Sequence, residues 1–157
     1  MYEKELQRIL TASQNNALTF FVGAGVSALS GAPTWKGLIH AISDRLGQAR
    51  KDEYSSDEYL QIPQMFYYSL GENKEEYYTF VKAQLHSSPM LPNVIHREML
   101  NLNPVSFITT NYDTLLEDAA VQYCQSFKVV SRDEDVPTIF GDRFILKLHG
   151  DFKPVSY

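Results

Sequence analysis

Three short stretches of this chain hold residue types and spacings that can do chemistry. Phe20 to Leu38 reads FFVGAGVSALSGAPTWKGL, in which Gly23, Gly25 and Ala28 match a G-x-G-x-x-G/A spacing directly after an apolar run. Glycines without Cβ let a backbone approach a pyrophosphate, and amides opening the next helix attract its oxygens; Ser27 adds a hydroxyl. The second stretch is Thr109-Thr110-Asn111-Tyr112-Asp113 and the third is Leu148-His149-Gly150. Asn111 and Asp113 bring an amide and a carboxylate, types that equally suit a turn and a helix cap. His149 brings a base that titrates near neutrality, or a plain strand-end histidine.

Elements that can hold these residues follow from hydrophobic periodicity. LTFFV, residues 18–22, is an apolar run too short for a helix and closed by Gly23, as expected of a central parallel strand buried on both faces. VSFIT, 105–109, and FILKL, 144–148, read as further strands, with a shorter one over 127–130 and a turn at Gly141 and Asp142. Helical spacing predicts helices over 2–13, 35–46, 58–70, 73–87, 92–102 and 114–123, with Ser56 and Asp57 as candidate caps of the third. Each chemical stretch therefore lies just past a predicted strand end. The tyrosines at 67, 68, 77 and 78 suit core packing or an interface better than a ligand groove. His40, His86 and His96 fall on predicted helices and read as structural.

A dinucleotide-binding dehydrogenase needs an acidic residue about 20 positions beyond the glycines, at the end of a second strand. Asp44 has that distance but falls inside an amphipathic helix, so a different nucleotide fold is required. The GAG-x-S loop running on to a G-x-P segment with Trp35, then TTNYD, then a His-Gly pair, together resemble the sirtuin family, most of all the sirtuin-like domains of prokaryotic defence proteins. The likeness spans about residues 18 to 151. It implies an α/β fold, a three-layer Rossmann-like parallel sheet, with a helical insert at about 48–102, all within the N-terminal part of one sirtuin-like domain.

The resemblance also assigns roles, with NAD bound as substrate. Gly23, Ala24, Gly25 and Ser27 would contact its phosphates, and Pro33 with Trp35 would close over its nicotinamide end. Asn111 would orient the ribose or the attacking water, Asp113 would hold the carboxamide, and His149 would be the general base. Deacylating sirtuins usually carry aspartate, phenylalanine and arginine where this chain has Thr34, Trp35 and Lys36, and a small aliphatic residue at Tyr112. Those departures favour NAD hydrolysis over protein deacylation; an NAD-dependent deacylase and a non-catalytic nucleotide-binding module are the alternatives.

Composition narrows the rest. At 157 residues, about one domain is expected, and 44% hydrophobic with 13% aromatic residues is enough to build a buried core. A net charge of −5 offers no basic field for nucleic acid. Cys124 stands alone, with neither a CxxC pair nor a Cys/His cluster, so no disulfide or metal site is expected. MYEKELQRIL lacks a secretory pattern, and the run from Ala17 to Leu29 falls short of the ~20 apolar residues a bilayer requires. The expectation is a cytoplasmic chain with no membrane partner, belonging to a larger parent assembly or homo-oligomer.

Overall fold

In the computed structural model the described residues are 2–85, 89–138 and 141–151. The order of elements is α1 (Glu3–Gln14), β1 (Thr19–Val22), α2 (Ala24–Ala28), α3 (Trp35–Arg45), α4 (Ser56–Ser69), α5 (Lys74–Leu85), α6 (Val94–Asn101), β2 (Ser106–Thr109), α7 (Leu115–Gln122) and β3 (Lys128–Val130), followed by a 3-10 segment (Asp133–Thr138) and β4 (Phe144–Lys147). They form two compact units, Gly31–Pro89 and the remainder on either side of it. Among the described residues, no helix is long and apolar enough to cross a membrane.

The sheet unit is an α/β layer structure of Rossmann-like type. Its four strands are all parallel in the order β1-β2-β4-β3. Strand periodicity aligns Phe20 with Phe107, and Phe107 with Ile145, across neighbouring strands. These rows feed a core of Val22, Met99, Leu100, Phe107, Leu116, Ala119 and Ile145, to which α6 and α7 each give two residues. Phe20 stacks on Phe107 with ring centroids 5.8 Å apart, and Phe127 adds a tilted contact at 5.3 Å. Fully burying a side chain the size of Phe107 contributes about 1.5 to 3 kcal/mol, and the partly buried Phe20 and Phe127 add less.

LTFFV differs from the doubly buried central strand expected of it. Among the described residues β1 has only β2 beside it, and Phe21 is 68% exposed while Val22 is buried. An apolar run still alternates sides every residue, so only Phe20 and Val22 reach the core. Leu6, Ile9 and Leu10 on α1 likewise remain exposed.

The helical unit also departs from the expected 48–102 insert. It starts earlier because α3 packs against α4 and α5, and it ends earlier because α6 lends Met99 and Leu100 to the sheet's core. Within it, α4 is capped by Ser55, one residue before the expected caps Ser56 and Asp57. Ser55 accepts from the Glu58 N–H and Glu58 accepts from the Ser55 N–H, a reciprocal pairing that satisfies two otherwise orphaned donors. The helix expected over 73–87 is α5 as far as Leu85; His86 lies outside the described residues.

Candidate active site

Parallel strands bring their carboxyl ends to one edge, and register places Val22, Thr109 and Lys147 in a single row there. From that row the chain continues into the three stretches singled out by residue type. Thr109 is the first fastening. Its buried hydroxyl donates to the Val22 carbonyl at 2.9 Å and accepts the Asn111 N–H at 3.0 Å. Asn111 is thereby held two residues past the strand, with its side chain aimed back toward the glycine stretch. Its Nδ2 donates to Ser27 Oγ at 2.9 Å, and both residues are buried. Because that oxygen acts as acceptor, the Ser27 proton remains to be donated elsewhere.

The glycine stretch is a short helix rather than the open turn expected. Gly23 precedes it in extended conformation, and α2 runs from Ala24 to Ala28. Ala24 and Gly25 are exposed, and a Cβ added at Gly23 or Gly25 would meet no atom within 4 Å. Open space over exposed backbone is what a phosphate group needs for close approach. The far side of this segment is tied to α6. Asn93 donates from Nδ2 to the Val26 carbonyl and to Ser30 Oγ, each at 2.8 Å, while its Oδ1 accepts the Ile95 N–H at 2.9 Å. The Asn93 N–H donates to His96 Nδ1 at 3.1 Å. Burial holds the His96 imidazole below its ordinary pKa, opposed in part by the Asp113 carboxylate.

Asp113 is half-buried, and its Oδ1 accepts the Leu115 N–H at 3.1 Å, so that oxygen satisfies the start of α7. His149 is exposed, with its ring centroid 5.8 Å from that of Tyr112, which sets it beside the Asn111–Asp113 turn. The turn carrying it closes through the Gly150 N–H on the Lys147 carbonyl at 3.0 Å. Gly150 has φ of +76°, a left-handed conformation that a side chain would strain.

Gly23, Ala24, Gly25, Ser27, Asn111, Asp113 and His149 thus lie on the carboxyl ends of β1, β2 and β4. Pro33 and Trp35 belong to the helical unit. There the Thr34 hydroxyl accepts the Gly37 N–H at 3.1 Å and starts α3 at Trp35, which is exposed. No cluster of three or more His, Cys, Asp or Glu that could hold a metal ion occurs among the described residues.

Sequence reasoning passed over Thr109, Asn93 and Lys147 as working parts. Asn93 with His96 three positions on has the spacing of a capping box, although histidine is not its usual partner. Lys147 is the one charged residue in the apolar run FILKL.

Comparison with known proteins agrees with this arrangement. Residues 105–156 match the family described as SIR2-like domain. The chain is 41% identical to Defense-associated sirtuin 2 of Bacillus subtilis over 94% of its own length and 14% of that protein's. It is 26% identical to NAD(+) hydrolase ThsA of Cytobacillus dafuensis over 96% of the chain and 30% of the relative. The chain carries a sirtuin-like domain. It is also 32% identical to an NAD-dependent protein deacetylase of Staphylococcus epidermidis, over 76% of the chain and 47% of that protein. The sirtuin-like chain therefore spans less than half the length of each of these relatives.

Proposed function

We propose that the carboxyl edge of the sheet binds NAD and that the protein carrying this chain hydrolyses it to nicotinamide and ADP-ribose in prokaryotic defence. The observation that carries this reading is the buried hydrogen bond from Asn111 Nδ2 to Ser27 Oγ at 2.9 Å, which fixes a polar amide against the glycine stretch. A dinucleotide substrate spans those two chemistries, phosphate at one end and ribose at the other. Similarity to proteins named as a defence-associated sirtuin and as an NAD(+) hydrolase supports the same reading.

The residues present fit such a substrate. Exposed backbone at Ala24 and Gly25, with open space above Gly23 and Gly25, receives the diphosphate without a side chain in the way. Ser27 offers its free proton to a phosphate oxygen while Asn111 occupies its lone pair. Bound NAD supplies a ribose–nicotinamide bond with a leaving group that departs without protonation. Asn111 orients the water or the ribose hydroxyls beside that bond, and His149 Nε2 or Nδ1 takes the proton from the attacking water. Positioning carries most of the rate here, because neither group needs to be a strong acid.

Protein deacylation is the second reading, favoured by the similarity to the staphylococcal deacetylase. Thr34, Trp35, Lys36 and Tyr112 weigh against it, since they replace the residues usual in deacylating sirtuins. Measuring NAD consumption by the full protein, with and without an acyl-lysine peptide, separates the two. Consumption without peptide supports hydrolysis, and strict dependence on peptide supports deacylation. Absence of any consumption leaves a nucleotide-binding module and overturns the enzymatic reading.

A further inference from the structure

The least expected group at this edge is the Lys147 ammonium. Its side chain is fully buried, at 0% exposure. A buried cation is costly unless every donor finds an acceptor, so its partners report what it is for. Nζ donates to the Asp113 carbonyl at 2.8 Å and to Glu117 Oε1 at 3.0 Å, with the Tyr112 carbonyl at 3.4 Å. The Asp151 carboxylate approaches to 3.9 Å. Two of these four partners are main-chain carbonyls of the turn that begins at Asn111. The other two are carboxylates from α7 and from the segment just past His149.

We infer that Lys147 is a positioning residue for the proposed reaction, fixing the Asn111–Asp113 turn and coupling it to the segment that carries His149. The inference rests on the functional reading above and extends it to a residue outside the reacting groups. Thr109 pins the turn from its amino side through the Asn111 N–H, and Lys147 pins it from its carboxyl side through the next two carbonyls. Asn111 lies between two fastenings, which hold the backbone from which its amide reaches Ser27. Tyr112, whose carbonyl is one of the acceptors, also carries the ring against which His149 lies. A single ammonium thereby relates the amide and the base to each other. A lysine serving stability alone would lower the folding free energy of the whole sheet and leave the turnover of folded molecules intact.

The test uses the full protein bearing Lys147→Met, which keeps the apolar stem without the ammonium, Lys147→Gln, which keeps a hydrogen-bond donor, and Asn111→Ala. Hydrogen exchange is followed at the Asn111 and Leu115 amides, both bonded within the turn, and at the β1 amides as reference. Lys147→Met is expected to speed exchange in the turn by about tenfold or more, with less than about threefold change in β1. Turnover of NAD should fall about tenfold or more with affinity kept within about threefold. Lys147→Gln should restore part of both. Added to Asn111→Ala, the methionine change should cost less than about threefold further, because its effect passes through the same amide. Uniform loosening across the sheet, full turnover in folded Lys147→Met, or a fully additive double variant overturns the inference. If Lys147→Met does not fold, Lys147→Gln is judged by the same criteria. If the unsubstituted protein leaves NAD intact, the functional reading fails on that count alone, and the exchange comparison still decides whether Lys147 holds the turn.

Discussion

Replacing Ser27 with alanine isolates the contact that joins the glycine stretch to Asn111. The hydroxyl is buried and accepts from Asn111 Nδ2 at 2.9 Å, so its removal leaves an amide N–H facing the interior without that acceptor. An unmet buried donor costs about 1 to 3 kcal/mol. Alanine is the better helix former inside α2 and returns roughly 0.5 kcal/mol. The net expectation is a loss of about 0.5 to 2.5 kcal/mol, which at roughly 2 to 4 °C per kcal/mol for a chain of this size lowers the melting temperature by about 1 to 10 °C. Stability alone would not identify the partner, so Asn111→Ala and the double variant complete a cycle. A coupling near 1 kcal/mol is expected between them. Thermal and urea unfolding followed by circular dichroism give all four corners. Turnover should fall by about tenfold as the amide loses its direction. A coupling below about 0.3 kcal/mol, with turnover unchanged, would refute the claim that this hydrogen bond orients the site.

Three further outcomes follow from the same geometry. His149→Ala should reduce NAD cleavage by roughly 100-fold, the scale of a lost general base, with NAD affinity nearly constant; equal losses in steady-state rate and in calorimetric affinity would mark the histidine as structural. Gly25→Val should leave the melting temperature close to that of the parent, since a Cβ there meets no atom within 4 Å, yet abolish measurable NAD binding by filling the space above the backbone. His96→Gln keeps an acceptor for the Asn93 N–H and removes a titrating ring. Burial lowers the His96 pKa in the folded state, so the unfolded chain takes up the proton first as pH falls below about 6.5 and stability declines over that window. The variant should escape this decline, and unfolding curves from pH 7 to pH 5 that run parallel to the parent's would contradict it.

The fold was legible wherever local pattern and burial agree. VSFIT and FILKL became β2 and β4 because apolar residues on both sides of a strand end suit a parallel sheet with helices packed on it. The pattern misjudged LTFFV, since an apolar run does not reveal how many neighbours a strand has or which alternate residues are covered. It also misdrew the helical unit: periodicity finds α3 and α6 equally well, while their allegiance is decided by long-range packing, α3 on α4 and α6 on the sheet. Among the candidate site residues, type and spacing singled out Asn111, Asp113 and His149 because each follows a strand end. Distance in sequence hid the bonds that orient them.

Those hidden bonds have a common physical origin. Parallel register aligns Val22, Thr109 and Lys147, three residues more than thirty positions apart along the chain, and gives each a different duty at the same level of the sheet. Val22 offers a carbonyl, Thr109 relays it to Asn111, and Lys147 collects the carbonyls that follow. All three side chains are buried, and Thr109 and Lys147 spend their hydrogen bonds on the turn that carries Asn111. Their effect must pass through backbone, and backbone held at both ends of a short turn has few conformations left to lose when a ligand binds. A site assembled this way gains its direction during folding rather than on binding, which is the condition the proposed hydrolysis sets for an amide and an exposed imidazole acting on water.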